Sequence, residues 1–255
     1  MDPVTFALDV AHEAGRELLD RLNRPREIAE KSRRADLVTD ADGASERIIV
    51  ARLRAAYPAA TILAEESGRH EGAPDERWIV DPLDGTTNFA HAYPLFCISI
   101  AYERGGELIA GVVHAPAMGE TFAAQRGAGA TFNGRAVTVS GIERVGDAMT
   151  CTGFHPADYD RNAACFAAAS RRTQAVRRDG AAALDLAYVA CGRYDGFWEF
   201  DLSPWDVAAG TLLVREAGGT VTRIDGSPAA LDARSILATN GRIHEELHGV
   251  LANEP

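Results

Sequence analysis

The sequence predicts an α+β fold built in layers, with an antiparallel sheet in an N-terminal lobe (1–144) and a mixed sheet in a C-terminal lobe (145–255). Three patterns carry that expectation. Apolar residues recur at helical spacing near the N-terminus, short strand-like runs separated by glycine turns follow, and strand and helix patterns alternate from Val145 onward. The chain has no internal repeat and no long linker, so the two lobes are expected to share an extensive interface.

Val4, Leu8, Ala11, Ala14, Leu18 and Leu22 recur every three or four residues, which predicts a first helix that Pro25 ends. A second helix is expected from near Gly43 to Ala56, with Ile48, Ile49 and Leu53 inward and Pro58 as its stop. Between them, residues 31–42 are polar and too irregular for a buried element. Thr61–Ala64 and Trp78–Val80 read as strands that run directly into Glu65-Glu66 and Asp81-Pro82. Cys97–Tyr102, Leu108–His114, Thr121–Ala124 and Ala136–Val139 continue the strands. Turns such as Arg104-Gly105-Gly106 and Asn133-Gly134 give hairpin spacing, hence antiparallel pairing. Next come strand Met149–Phe154, helix Asp160–Ser170, strand Gln174–Arg177, helix Ala181–Cys191 and strand Phe197–Phe200. Helix Pro204–Ala217 closes on Gly218-Gly219, and strands near Thr220–Ile224 and Ile236–Ala238 precede a short terminal helix.

Composition removes several functional classes. At 46% hydrophobic and 25% charged, with 24 Gly and 11 Pro in 255 residues, the chain is neither low-complexity nor disordered. Asp and Glu total 37 against 26 Lys and Arg, and the resulting charge of −11 disfavours non-specific attraction to nucleic acid or anionic lipid. Arg171-Arg172 with Arg177-Arg178 is the one candidate basic patch, and it reads first as a solvated strand border. Direct nucleic-acid binding is therefore not expected. The cysteines at 97, 151, 165 and 191 lack the paired spacing of a thiolate zinc site and are expected to be buried free thiols. No apolar run is long enough for a membrane span, the N-terminus lacks a leader pattern, and the chain reads as cytoplasmic.

Chemistry concentrates in three places. One apolar strand ends in Glu65-Glu66 and another in Asp81-Pro82-Leu83-Asp84. Carboxylates held at different strand ends can converge on Mg²⁺, a hard cation that takes oxygen ligands together with substrate phosphate. Each run alone is also the make-up of an ordinary turn. Gly85-Thr86-Thr87-Asn88 changes the balance, because a glycine backbone approaches an anion closely and two hydroxyls and an amide add donors beside the acids. In Asp201-Leu202-Ser203-Pro204-Trp205-Asp206, Ser203 suits an N-cap and Pro204 the first helical position, so Asp206 falls in the first turn. There it either complements the helix dipole or serves as a ligand that Trp205 fixes by packing. Asp40-Ala41-Asp42 fits the DxD pattern of an Asp-nucleophile phosphatase, but its surroundings do not suit that enzyme's buried strand.

DPLDGTTNF at Asp81–Phe89 and WDVAAG at Trp205–Gly210 resemble the two signatures of the inositol monophosphatase family. DLVTDAD at Asp36–Asp42, AEES at Ala64–Ser67 and the stretch Arg177–Glu199 resemble it in the same order and spacing, so the likeness covers nearly the whole chain. The resemblance implies an αβαβα sandwich, a homodimer, and Mg²⁺-dependent, Li⁺-sensitive hydrolysis of phosphate monoesters with two or three ions. By position it implies that Glu65, Asp81, the Leu83 carbonyl, Asp84 and Asp206 hold the metals, Asp81 bridging two of them. Asp42 and Thr86 would orient or deprotonate the attacking water, with Glu65 near it and Glu66 supporting the metal ligands. Gly85, Thr86 and Thr87 would hold phosphate, and Asp84, Gly180, Ala182 and Glu199 would contact the alcohol.

The implied substrate is a small phosphorylated polyol, with myo-inositol monophosphate first because Glu199 matches the position that meets inositol hydroxyls. Ala181 departs from the Ser or Thr common in relatives, which would loosen selectivity. Histidinol phosphate, fructose 1,6-bisphosphate and 3′-phosphoadenosine 5′-phosphate stay open. So does a role of another class, regulatory binding to transcription machinery, which some bacterial relatives combine with hydrolysis.

Overall fold

The computed structural model of the chain describes residues 2–22, 28–30, 37–154, 159–232 and 234–252. Pro25 and Asp36, expected as a helix stop and as the start of a site motif, lie outside the described residues.

The first helix, α1 (Pro3–Leu22), keeps the predicted period but turns a slightly different face inward. Phe6, Ala7, Val10, Ala11, Ala14 and Leu18 are buried, while Val4, Leu8 and Leu22 sit at its flanks. Two bulky side chains, Phe6 and Val10, decide the face. Its Gly15 lies so close to His114 that a Cβ would stand 2.7 Å from the imidazole.

Residues 28–39 and the next helix depart from expectation. Ile28–Glu30 (β1) and Leu37–Thr39 (β2) pair antiparallel, so part of the stretch expected to be irregular is a small ribbon. The second helix, α2, runs Asp40–Ala56, starting at Asp40 rather than near Gly43. A local cap explains the early start. The Thr39 hydroxyl accepts the Ala41 N–H at 3.2 Å, and Asp42 accepts the Thr39 N–H at 2.7 Å. Asp42 thereby becomes a buried helical residue rather than a loop residue.

The large sheet has eight strands: β3 (Ala60–Ala64), β4 (Gly68–His70), β5 (Ala73–Asp84), β6 (Cys97–Arg104), β7 (Glu107–Ala115), β8 (Glu120–Gln125), β9 (Gly129–Phe132) and β10 (Arg135–Val137), in the order β10-β9-β8-β7-β6-β5-β3-β4. Its pairings are antiparallel except β3 with β5, which run parallel. That one parallel pair brings the C-terminal ends of β3 and β5 side by side, which an all-antiparallel sheet would not. β5 extends well beyond the expected Trp78–Val80 and carries the acidic motif within the strand. Against β6, Asp81 faces Ser99 and Asp84 faces Cys97, so Pro82 and Leu83 span one intervening partner residue. This bulge tolerates a proline, which has no N–H for the ladder, and re-aims the side chains around it.

The second sheet is mixed, as expected: β12-β11-β13-β15-β14, from β11 (Met149–Thr152), β12 (Ala175–Arg177), β13 (Gly196–Phe200), β14 (Thr220–Thr222) and β15 (Ser235–Thr239). Helices α1 and α2 cover one face of the large sheet. Helices α5 (Ala182–Ala190) and α6 (Pro204–Glu216) lie between the two sheets, and α4 (Tyr159–Arg172) and α7 (His244–Ala252) cover the far face of the small one. The layers are therefore αβαβα. The Gly210 backbone of α6 leaves room for Leu186 of α5, whose Cβ a methyl group would approach to 2.4 Å. Cys97, Cys151 and Cys165 are buried and Cys191 half-buried, all as free thiols. Arg171, Arg172, Arg177 and Arg178 are exposed around the edge strand β12. Among the described residues no helix is long and apolar enough to cross a membrane.

Candidate active site between two strand ends and two helix starts

The C-terminal ends of β3 and β5 and the N-terminal ends of α5 and α6 meet at one place. β5 supplies Asp81, which is 2% exposed and accepts the Leu83 N–H at 2.9 Å. Its carboxyl is pushed well above the usual range, by burial first and then by the charges of Glu65, Asp84 and Asp206. Four carboxyl groups from three chain segments, the ends of β3 and β5 and the start of α6, thus act on one another. Asp84, half-buried at the end of β5, is raised to about 6, chiefly by burial. The Ala183 N–H at 2.7 Å and the Cys97 thiol at 3.5 Å donate to Asp84 and oppose that shift. The α5 N-terminus thus faces this carboxylate with its positive dipole end.

Asp206 is placed by α6. Ser203 is the N-cap and Pro204 the first helical residue, as the sequence predicts. The Asp206 carboxylate accepts the Ser203 N–H at 2.7 Å, and the Ser99 hydroxyl fastens the Trp205 carbonyl at 3.1 Å to the centre of the large sheet. Glu65 follows β3 directly, its N–H bonded to the Val80 carbonyl at 3.2 Å. The turn after it is held by Glu46 of α2, whose carboxylate accepts the N–H groups of Glu66 and Ser67, each at 2.9 Å.

Beside the carboxyl cluster stands the expected Asp42–Thr86 pair. The Thr86 hydroxyl lies 3.0 Å from Asp42 and 3.1 Å from the Leu83 carbonyl, with one proton to donate between them. Thr39 donates both its N–H and its hydroxyl to the other Asp42 oxygen, each at 2.7 Å. Burial raises the Asp42 carboxyl, against those donors and with the help of the Glu65 charge. Gly85 turns the chain at φ 88° into a short helix, α3 (Thr86–Ala90), which the sequence did not reveal. A side chain at Gly85 would stand 2.9 Å from the Leu95 carbonyl. The Thr86 and Thr87 N–H groups precede the first intrahelical bond, Phe89 N–H to Gly85 carbonyl, and Thr87 is exposed.

Three residues expected from the sequence to meet an alcohol, Gly180, Ala182 and Glu199, lie at the start of α5 and on β13. Gly180 (φ 80°) precedes α5, Ala182 begins it, and Asn88 ties this turn to α3 by donating to the carbonyls of Asp179 (2.8 Å) and Leu95 (2.6 Å). Glu199 of β13 is 9% exposed, and burial, Asp206 and Asp84 push its carboxyl well above the usual range. Gly153 makes room for it: a Cβ there would lie 2.1 Å from the Glu199 carboxylate.

The structure brings Glu65, Asp81, Asp84 and Asp206 within electrostatic reach of one another, with the Asp42–Thr86 pair beside them and Glu199 facing Asp84 and Asp206. Sequence reasoning missed Thr39, Ser45, Glu46, Cys97 and Gly153. Ser45 and Glu46 had a readable signal, polar residues on the inward face of an amphipathic helix, and Ser45 donates to the Pro82 carbonyl at 2.7 Å. Cys97 and Gly153 had none. Mutually repelling carboxyls of this density, all oxygen donors, fit a hard divalent cation, which would reverse the sign of the local field.

The chain matches the inositol monophosphatase family model over residues 1–254. It is 45% identical over 255 residues to an inositol-1-monophosphatase of Synechocystis, covering 98% of this chain and 88% of that protein. It is equally 45% identical over 257 residues to a Nus factor SuhB of Pseudomonas aeruginosa, covering 97% and 95%. A crystal structure of an extragenic suppressor protein suhB from Bartonella henselae superposes with a TM-score of 0.94 at 41% identity, covering 98% of both chains. These matches run the length of the chain and share its layered fold, and the chain belongs to the inositol monophosphatase family, whose homologues support a phosphatase.

Proposed function

We propose that the chain hydrolyses a small phosphate monoester with Mg²⁺, myo-inositol monophosphate first among candidate substrates. The observation that carries this reading is the Asp42–Thr86 hydrogen bond of 3.0 Å set beside the Asp81 carboxyl cluster. Glu65, Asp81, the Leu83 carbonyl, Asp84 and Asp206 would hold two or three ions. Bound there, Mg²⁺ would lower the pKa of a water and balance charge on the departing alkoxide. The rest falls to the chain's own groups. The Thr86 hydroxyl, donating to Asp42, keeps lone pairs that would accept a hydrogen bond from water and so orient it. Burial makes Asp42 a better base than an exposed aspartate. Gly85, Thr86 and Thr87 would present donors to phosphate, and Asp84, Gly180, Ala182 and Glu199 would meet the alcohol hydroxyls. Glu66, anchored through Glu46, would support the Glu65 turn. A homodimer, sensitivity to Li⁺ and a division into lobes 1–144 and 145–255 belong to the same proposal.

The test is a phosphate-release panel over myo-inositol monophosphate, histidinol phosphate, fructose 1,6-bisphosphate and 3′-phosphoadenosine 5′-phosphate, with Mg²⁺ or EDTA and with or without Li⁺. Highest kcat/KM on the inositol ester, lost in EDTA, is expected. Full turnover in EDTA would overturn the metal assignment, and preference for another ester would replace the substrate. A second reading, regulatory binding to transcription machinery, is supported by the equal 45% identity to a Nus factor. Capture of transcription proteins from lysate by wild type and by Asp81→Asn alike would establish it beside hydrolysis.

A further inference from the structure

A second cluster of ligand atoms lies outside the carboxyl group around Asp81. It consists of Cys151 on β11, Asp179 in the turn before Gly180, and Asp185 in the first turn of α5. The Cys151 sulfur and one carboxylate oxygen from each aspartate lie within 4.8 Å of one another. Zinc binds sulfur at about 2.3 Å and carboxylate oxygen at about 2.0–2.2 Å, so two ligands of one ion stand at most about 4.5 Å apart. Small side-chain adjustments would bring this trio onto a common ion.

The cluster also contains an unresolved polar group. Asp185 is 1% exposed, and among the described residues neither of its carboxylate oxygens has a hydrogen-bond partner outside the cluster, the Cys151 thiol being its polar neighbour. Native proteins leave few buried polar atoms in that state, and each calls for an explanation such as an ion. Tyr194 donates its hydroxyl to Asp179, as partners that orient a metal ligand do, and the carboxylate keeps further lone pairs. Asp179 is half-buried, the most accessible member of the cluster.

We propose that Cys151, Asp179 and Asp185 form a second metal site, taking one thiophilic divalent cation such as Zn²⁺, separate from the carboxylates around Asp81. Burial raises both the Cys151 thiol and the Asp185 carboxyl, so without a cation both hold their protons. Binding forms the sulfur–metal and oxygen–metal bonds and releases one proton from each of these two groups to solvent. The ion would tie β11 to the start of α5. That segment carries the Ala183 N–H that holds Asp84 and the Asp179 carbonyl that Asn88 holds, so occupancy stiffens the stretch beside the proposed alcohol contacts.

The test uses Co²⁺ as the probe, added to the full chain in excess Mg²⁺ without substrate, so its outcome does not depend on the phosphatase reading. A near-ultraviolet thiolate-to-cobalt absorption saturating at one ion per chain is expected. It should vanish in Cys151→Ser, bind at least tenfold more weakly in Asp185→Asn, and persist in Cys97→Ser. Absence of the band in wild type would overturn the proposal. So would its survival in Cys151→Ser, or its loss in Cys97→Ser, which would place the ion beside Asp84 instead. Melting of each variant without Co²⁺ checks folding, and the wild-type and Cys97→Ser results decide the matter if Cys151→Ser does not fold.

Discussion

Asp84 provides a measurable link between the site's electrostatics and its stability. Its folded pKa, raised from 3.8 to about 6, exceeds that of the unfolded chain. The folded state therefore holds this proton more tightly. That contribution to stability is fully present below about pH 4 and is lost as pH rises through about 6. A shift of about two units corresponds to about 3 kcal/mol in total, of which about 1.3 kcal/mol disappears between about pH 5 and pH 7. Asp81 is raised in the same direction and adds to the same slope. Asp84→Asn keeps an oxygen to accept the Ala183 N–H at 2.7 Å while removing the titration. Urea unfolding in EDTA across this range, for wild type and Asp84→Asn, isolates the term as the difference between two curves. Wild type should lose about 1 kcal/mol more than the variant as pH rises, and saturating Mg²⁺ should flatten the wild-type curve. Parallel curves in EDTA, or a slope unchanged by Mg²⁺, would refute the account of Asp84 as a carboxyl that burial keeps protonated and a cation relieves.

Other outcomes follow from single contacts. Thr86→Val removes the hydroxyl shared by Asp42 and the Leu83 carbonyl, so kcat should fall about 10²- to 10³-fold with KM little changed, read by steady-state phosphate release. Asp206→Asn should abolish Mg²⁺-dependent turnover. Its amide oxygen can still accept the Ser203 N–H, so circular dichroism and melting should stay near wild type. Gly85→Ala places a side chain at φ 88° and 2.9 Å from the Leu95 carbonyl, so unfolding free energy should drop by about 1–3 kcal/mol, measured in urea.

Local chemistry made much of the fold and the core of the site legible from the amino-acid order. The apolar runs that lead into Glu65 and Asp81 announce β3 and β5 by stopping at acids. Ser203-Pro204 marks the α6 start, because capping needs only neighbours in the chain. The acidic run Asp81–Asp84 and the donors Gly85–Thr87 were readable for the same reason. The sequence periodicity found the core-facing side of α1 without Phe6 and Val10 at its centre, and it misplaced the start of α2, which the Thr39–Asp42 cap decides. Tertiary structure alone set the bulge between Asp81 and Asp84, the parallel β3–β5 pair, and Glu46 beneath the Glu65 turn. It alone brought Asp206 and Glu199 up to residues more than a hundred positions earlier. Periodicity and capping act between neighbours along the chain, whereas repulsion among carboxyls depends on distance through space, which the layers set.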